Sequence, residues 1–284
     1  MKKKNKISSN ELEFLFQNID KLNNLTLDNY HITKNVALQI ANSLKDNNSI
    51  KSINIVNCYL KDITAFIEVL TIKSKIISIS FENTTGISQG WYRFREILET
   101  RHYIEELNIS NCNIKSRRLE QIIRSIKLNH SMVKLNISGN KVKDNIYPLL
   151  LQSLLYNETL MVLNLKKIPI NEKFEHDLIN VLETNKILAE IYFDNSHILS
   201  ETLKNKLFSS KQMLQTLLQM LLNTYRNHNN NTVNMQSLVN IEKRKQALKF
   251  LFKQAVTNYY GDKVYKKSAF NETLKKLYEK LYIL

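Results

Sequence analysis

Apolar residues recur along the chain in one fixed frame, apolar-x-x-apolar-x-apolar. The frame occurs seven times, at Leu22-Leu25-Leu27, Ile50-Ile53-Ile55, Ile76-Ile79-Phe81, Ile104-Leu107-Ile109, Met132-Leu135-Ile137, Leu160-Leu163-Leu165 and Leu188-Ile191-Phe193. Successive frames begin 28, 26, 28, 28, 28 and 28 residues apart, and all 21 framed positions are apolar although only 43% of the chain is. Each frame predicts a short strand with one buried face.

The second half of each unit has a different spacing. When the first framed residue is counted as position 1, apolar residues follow at positions 16, 19, 20 and 23, a spacing typical of a helix with one buried stripe. The fourth unit, for example, has Leu119, Ile122, Ile123 and Ile126 at these positions. Position 26, where the chain turns back towards the next strand, is asparagine four times, at Asn47, Asn129, Asn157 and Asn185.

A strand-helix unit of 28 residues cannot cover its own apolar face and must stack on its neighbours. On these features, residues 22–199 resemble the leucine-rich repeat family, specifically its ribonuclease-inhibitor type. The resemblance implies a horseshoe with parallel strands on the concave face and helices on the convex face. The predicted fold class is α/β, a leucine-rich repeat solenoid of about seven 28-residue strand-helix repeats with an all-helical C-terminal region.

Position 9 carries asparagine or cysteine in this family, and Cys58, Cys112 and Asn140 fit. Four residues depart from that pattern, so we expect the ladder of side chains at this turn to be broken at Tyr30, Thr84, Ile168 and Ser196. The third unit contains two of the four glycines between Thr84 and Trp91. An irregular loop is expected there.

Three regions follow from the pattern. Residues 1–21 are predicted to form an N-terminal helical cap that begins near Ser9, and 22–199 form the solenoid. Residues 200–284 show helical spacing without the strand frame, which predicts a small helical bundle.

The charge divides in the same way. The formal net charge is +15, of which residues 1–49 contribute 7 basic and 5 acidic groups, 50–199 contribute 19 and 16, and 200–284 contribute 15 and 5. The basic excess therefore belongs to the C-terminal region rather than to the repeats. The basic residues within 243–280 favour the solvated face of amphipathic helices, and the alternative is a surface for nucleic acid or anionic membrane.

The sequence shows neither a secretory signal peptide nor an apolar run long enough to cross a membrane. We expect a cytoplasmic protein or one translocated into a host cell cytosol. The abundance of lysine, asparagine and isoleucine, together with repeats followed by a helical tail, resembles effectors that intracellular bacterial pathogens deliver into host cells.

Sequence motifs for phosphate-binding glycine loops, nucleophile elbows and zinc-binding helices do not occur in the chain. The six histidines are scattered, so no metal site and no cofactor are predicted. Two cysteines in 284 residues exclude a disulfide scaffold. Cys58 and Cys112 are interpreted as small buried residues, and the alternative is a redox or nucleophilic role.

The strand residues between the framed positions point away from the core. On the predicted concave face they are mostly uncharged hydrogen-bonding groups with a few charges of both signs. The predicted partner-binding residues on this face are Asn54, Ile77, Glu82, Glu105, Asn108, Lys134, Asn136, Asn164, Lys166, Tyr192 and Asp194.

The segment around Trp91 is a second candidate, because tryptophan, tyrosine and arginine are enriched in binding hot spots. Trp91 occupies position 16 and is therefore interpreted as a core residue. Tyr92 and Arg93 lie outside the apolar stripe and remain candidate partner-binding residues.

These features predict a non-enzymatic protein-binding module that grips another protein with its concave face. The resemblance to ribonuclease inhibitor implies that binding covers a partner's active site. The alternative is an adaptor that binds anionic membrane or nucleic acid through its basic C-terminal helices. For any single residue of the predicted face, a solvated surface without a partner is a further alternative. No small-molecule substrate is inferred.

Overall fold

The structure is a computed structural model that describes residues 4–72, 75–101, 103–185, 187–194 and 200–212. The helical bundle predicted beyond residue 212, the basic residues within 243–280 and Ser196 lie outside the described residues.

The described residues form ten short strands and seven α-helices. The strands are β1 (Asn5–Lys6), β2 (Asn24–Asp28), β3 (Tyr30–Ile32), β4 (Ser52–Val56), β5 (Tyr59–Leu60), β6 (Ser78–Ser80), β7 (Glu106–Asn108), β8 (Lys134–Asn136), β9 (Val162–Asn164) and β10 (Glu190–Tyr192). The α-helices are α1 (Ser9–Asn18), α2 (Lys34–Asp46), α3 (Thr64–Ile72), α4 (Trp91–Thr100), α5 (Ser116–Ile126), α6 (Ile146–Tyr156) and α7 (Glu172–Thr184). A short 3-10 helix spans Ile19–Lys21, and residues 201–212 are helical.

Seven of the strands form one parallel sheet in the order β10-β9-β8-β7-β6-β4-β2. The register matches equivalent framed positions, so that Leu25 lies beside Ile53 and Ile53 beside Ile79. The prediction of an α/β fold with parallel strands and flanking helices is confirmed. The count of seven repeats and the horseshoe curvature stay predictions.

The framed apolar residues form the core. Except for Leu22, which packs against the core while remaining partly exposed, every framed residue has an exposed fraction of 8% or less. The helices contribute their apolar stripes to the same core, as Leu119, Ile122 and Ile123 of α5 illustrate. One face of the sheet is therefore covered by helices, and strands such as β7 and β8 alternate buried with half-buried residues because their intervening side chains point the other way.

In the turns after β2, β4, β6, β7, β8 and β9, the residue at position 8 adopts the left-handed backbone conformation. Four of the six described residues in this column are asparagine, which together with glycine tolerates positive φ best. Gly139 has the same conformation. Lys167 has it as well, with a φ of 59°, although lysine is neither glycine nor asparagine. The four asparagines are Asn29, Asn57, Asn83 and Asn111, with φ between 51° and 64°. The backbone conformation therefore explains why asparagine occurs at this position.

A second, three-stranded parallel sheet, β1-β3-β5, follows that turn at the N-terminal end. Asn5 pairs with Tyr30, and His31 pairs with Tyr59. The apolar frame did not predict these strands because they lie outside the framed positions.

The side chains at position 9 form a ladder of mixed chemistry. The Cys112 thiol donates to the carbonyl of Phe81 at 2.8 Å, and the Asn140 amide donates to the carbonyl of Ile109 at 2.8 Å. Thr84 departs from the asparagine or cysteine pattern and still continues the ladder, because its hydroxyl donates to the carbonyl of Ile55 at 2.6 Å. The threonine hydroxyl thus takes the place of the cysteine thiol as the hydrogen-bond donor. The side chain of Ile168 has no donor, so it cannot form this bond.

At four helix-to-strand turns, an asparagine at position 26 joins the turn to the part of the chain that precedes it in the stack. The Asn129 carboxamide is fully buried; its Nδ2 donates to the carbonyl of Leu98 at 2.6 Å. Its Oδ1 accepts from the backbone N–H groups of Ser131 and Met132 at 3.0 and 2.6 Å. The side chains of Asn47, Asn157 and Asn185 form the equivalent bonds.

The third unit contains the expected irregular segment, which lies between β6 and α4. Gly86 and Gly90 have positive φ of 89° and 95°. The helix begins at Trp91, whose side chain is only 3% exposed. This burial confirms that Trp91 is a core residue.

Both ends of the described sheet are covered by helical residues. Helix α1 begins with a capping box in which the Ser8 hydroxyl and the Glu11 carboxylate each bind the other's backbone N–H. At the other end, Leu203 is fully buried in the core and Lys206 pairs with Glu183 of α7 at 3.2 Å. The region boundaries at 21 and 199 stay predictions.

Among the described residues, no helix combines the length and the apolar character that crossing a membrane requires.

The substitution Asn129→Ala is expected to lower the free energy of unfolding by about 2 to 4 kcal/mol, because it leaves two buried N–H groups and one carbonyl without their partner. Urea denaturation measures this change. As a matched control, Asn42→Ala on the exposed face of α2 should change the free energy by no more than about 0.5 kcal/mol. Equal effects of the two substitutions would contradict a structural role for the buried amide.

Candidate protein-binding face

The face of the seven-stranded sheet that the helices leave uncovered forms a shallow cavity of about 560 Å³. We call it the sheet face. Its side chains come from alternate strand positions, namely Thr26, Asn54, Val56, Ser78, Ser80, Glu82, Glu106, Asn108, Lys134, Asn136, Val162, Asn164 and Tyr192.

Three asparagines in the middle of the sheet face are held in one orientation. The Oδ1 atoms of Asn108, Asn136 and Asn164 accept hydrogen bonds of 3.0 to 3.1 Å from the backbone N–H two residues further on. With the oxygen committed to the turn, each side chain keeps its two N–H donors for other contacts. The Asn108 amide uses one donor on the Glu82 carboxylate at 3.0 Å.

The charges on the sheet face are few and of both signs. Lys134 Nζ lies 3.6 Å from the Glu106 carboxylate on the neighbouring strand, and Glu82 accepts from Asn108. At one edge, Asn83 Nδ2 donates to Asn57 Oδ1 at 2.6 Å. The face thus presents hydrogen-bonding groups in fixed positions rather than a field of one sign.

The end of the sheet face near β10 has a compact network around Glu190. Its Oε1 accepts from Lys211 Nζ at 2.8 Å, and its Oε2 accepts from the Tyr192 hydroxyl at 2.6 Å. The Lys166 ammonium lies 5.9 Å from the centre of the Tyr192 ring, within cation–π range. The helical residues 201–212 are thereby connected to the last strand.

Burial would raise the pKa of the Glu190 carboxyl, and the hydrogen bonds from Lys211 and Tyr192 act against it. The charges of Lys211 and Lys134 add to these bonds, so the pKa lies below its ordinary value of 4.5. The hydrogen bond to this carboxylate also raises the pKa of the Tyr192 hydroxyl. Both shifts favour an ionised Glu190 and a neutral Tyr192.

Most of the predicted partner-binding residues lie together on the sheet face. Lys166 is exposed beside Tyr192, Asp194 is half-buried after β10, and Ile77 is half-buried before β6. The predicted residues that line the cavity are Asn54, Glu82, Asn108, Lys134, Asn136, Asn164 and Tyr192.

Glu105 is a correction to the predicted set, because its side chain is only 6% exposed. It occupies position 2 of its unit, and the residues at this position in later units are buried as well. Val133, Met161 and Ala189 form a small second apolar cluster with Ile187. Position 2 is therefore buried from the fourth unit onwards, whereas Ile77 at the same position of the third unit is half-buried.

The structure also separates Tyr92 and Arg93 from the sheet face. Both lie on α4, where Tyr92 is 65% exposed and Arg93 pairs with Glu96 at 2.6 Å.

Sequence reasoning did not select several residues of the sheet face, including Ser78, Glu106 and Val162. All three occupy position 3, directly before the second framed residue. Alternation within the strand places position 3 on the same side as positions 5 and 7. The spacing of the apolar frame was therefore sufficient to predict that these residues lie on the sheet face.

Among the described residues, no group of three or more histidine, cysteine or acidic side chains could hold a metal ion. Cys58 and Cys112 are buried free thiols. Burial raises the pKa of both thiols, that of Cys112 to about 12.

No family model matches the chain, and no curated protein matches its sequence. Among solved structures, leiomodin-1 actin-binding site 2 is 20% identical with a TM-score of 0.49, covering 56% of this chain and 95% of that one. The tropomodulin C-terminal domain of Caenorhabditis elegans is 16% identical with a TM-score of 0.43, covering 65% of this chain and 98% of that one.

Both cysteines are expected to resist thiol reagents in the folded protein. At pH 8 a thiol with a pKa of about 12 is ionised to roughly one part in ten thousand, and burial blocks access as well. Ellman's reagent should label neither residue in the native chain and both in guanidinium chloride. Rapid labelling of the native chain would reopen the nucleophilic interpretation.

Replacing Glu190 with glutamine is expected to destabilise the chain at pH 7 by no more than about 1 kcal/mol, since the group is partly exposed. A carboxyl whose pKa is lowered on folding stabilises the protein above its unfolded pKa and loses this effect as the pH falls through the folded pKa. The difference in urea midpoint between wild type and Glu190→Gln should therefore vanish as the pH is lowered below 4.5. The control Glu201→Gln, at a carboxylate that is 76% exposed, should show no such trend.

Proposed function

We propose that the chain is a non-enzymatic protein-binding module that contacts its partner with the sheet face. The observation that carries this proposal is the row of oriented polar side chains on an open, parallel sheet. Each of Asn108, Asn136 and Asn164 holds its carboxamide by a backbone hydrogen bond, so binding would cost little additional side-chain entropy.

The dimensions of the sheet support a protein partner over a small molecule. Seven strands spaced about 4.8 Å apart span roughly 30 Å, the width of a standard protein interface. The cavity is shallow and open, and most of the residues that line it have polar side chains, whereas small-molecule sites are usually enclosed and largely apolar.

The chemistry of the sheet face supports specificity by complementarity. Glu82, Glu106 and Lys134 provide charges of both signs, and uncharged donors and acceptors lie between them. Such a surface selects partners whose pattern of charges and hydrogen bonds matches it. Tyr192, which is 42% exposed, is the aromatic residue that would supply contact area at one end.

In the proposed mechanism the module acts by covering its partner, so that an enzyme bound on the sheet face would be closed to its substrate. This step extends the implication of the sequence resemblance and is separable from binding itself. The effector role and the alternative role of the basic residues within 243–280 stay predictions.

The test compares a double substitution on the sheet face with a matched one on the helices. Asn54 and Ser80 lie side by side on neighbouring strands, and Asn54→Arg with Ser80→Arg would add bulk and charge there. Asn42→Arg with Asn180→Arg adds the same charge to exposed positions of α2 and α7. With a partner isolated by affinity capture on the full chain, the sheet-face variant should bind at least about tenfold more weakly and the helix variant should bind normally.

Calorimetry on purified components measures both affinities, and circular dichroism verifies that the variants fold. Unchanged binding by the sheet-face variant would refute the proposal. If the partner is an enzyme, stoichiometric addition of the wild-type chain should abolish turnover, and a complex that remained active would refute the covering mechanism alone.

A further inference from the structure

A crevice of about 450 Å³ lies between α4 and α5, on the helical side of the molecule. Trp91 and Tyr92 line it from α4, and Arg117, Arg118 and Gln121 line it from α5. None of these residues contributes to the sheet face.

Two deeply buried polar atoms at this crevice lack hydrogen-bond partners. The indole N–H of Trp91 has no acceptor among the described residues, and the Oε1 atom of Gln121 has no donor there. The two side chains are 3% and 7% exposed. Leaving such groups unpaired is costly, so an unpaired donor and an unpaired acceptor on two residues that line the same crevice indicate a ligand that offers the complementary pair.

The surroundings of the crevice are cationic. Arg117 is exposed and forms no ion pair in the described part of the chain, and Arg118 is anchored by a bond of 3.3 Å from Nη1 to the carbonyl of Ile87. No acidic side chain lines the crevice. The N-terminus of α4 opens here as well, and its N-cap, Gly90, has no side chain to satisfy the first N–H groups.

We propose that this crevice binds an acidic peptide segment of a protein partner. A glutamate or aspartate carboxylate would accept from the Trp91 indole N–H and from the Arg117 guanidinium. A backbone N–H of the same segment would donate to Gln121 Oε1, so one ligand satisfies both unpaired atoms. Tyr92, which is 65% exposed at the rim, would pack against the segment.

A peptide suits the crevice better than a simple anion does. An anion such as acetate can accept from the indole and the guanidinium, but it has no donor for Gln121 Oε1. A peptide has a donor and an acceptor at every residue. This site is distinct from the sheet face and does not depend on the function proposed for that face.

Trp91 is the only tryptophan in the chain, so the single indole N–H signal in a proton–nitrogen correlation spectrum reports directly on the crevice. The probe is an acetylated, amidated hexapeptide of alternating glycine and glutamate, titrated into the full chain. We expect the indole proton to move downfield and to saturate, because a charge-assisted hydrogen bond forms at Nε1.

The neutral control is the same hexapeptide with glutamine in place of glutamate, and inorganic phosphate forms a third titration. Arg117→Gln should weaken binding of the glutamate peptide about tenfold. Arg124→Gln removes the same charge from an exposed position of α5 outside the crevice and should leave the affinity unchanged. The dispersed indole signal of each free variant verifies that it folds.

Four results would overturn the proposal. An indole signal that no probe moves would mean that water satisfies the two atoms. Equal effects of the two peptides would show that the carboxylate is not recognised, and a response to phosphate alone would assign the crevice to an inorganic anion. Equal loss of affinity in Arg117→Gln and Arg124→Gln would indicate general attraction to a basic surface.

Discussion

The structure depends on buried asparagine side chains that join four of the helix-to-strand turns to the part of the chain before them. A turn that lies inside a stack must satisfy its backbone N–H and carbonyl groups without water. Asn129, Asn157 and Asn185 do so in succession, because each carboxamide accepts from its own turn and donates to the preceding unit. Strand register, core packing and the spacing of the sheet face all follow from units that are held at this fixed separation.

The two sides of the molecule present different chemistry to solvent. On the sheet side, alternation within each strand leaves polar groups whose orientation is fixed by the turn that follows, as at Asn136. On the helical side, the irregular third unit brings Trp91 to the N-terminus of a helix beside Gln121. Regular repetition thus produces an extended surface, and the interruption of that repetition produces a local crevice.

The sequence predicted the parallel strands, the helices and most of the sheet face because one periodic frame determines all of them. The predictions from the sequence were incomplete where a residue type is determined by its local backbone or local contacts. Glu105 looks accessible from its charge, but it lies directly before β7 and is buried. The asparagines at position 8 look like ordinary polar residues of an exposed face, but their positive φ angles explain why asparagine occurs there. Thr84 departs from the expected residue type and still supplies the same hydrogen bond. The crevice depends on how α4 meets α5, which no single segment specifies.

The second unit is two residues shorter than the others, and this difference in length does not change the register of its strand in the sheet. Ile53 still pairs with Ile79, and Asn54 with Ser80, as in the units of full length. The shortening falls on the helical side, where α3 has nine residues, five of them buried. Natural selection can therefore lengthen or shorten a unit through its helix while the pattern of side chains offered to a partner keeps its spacing.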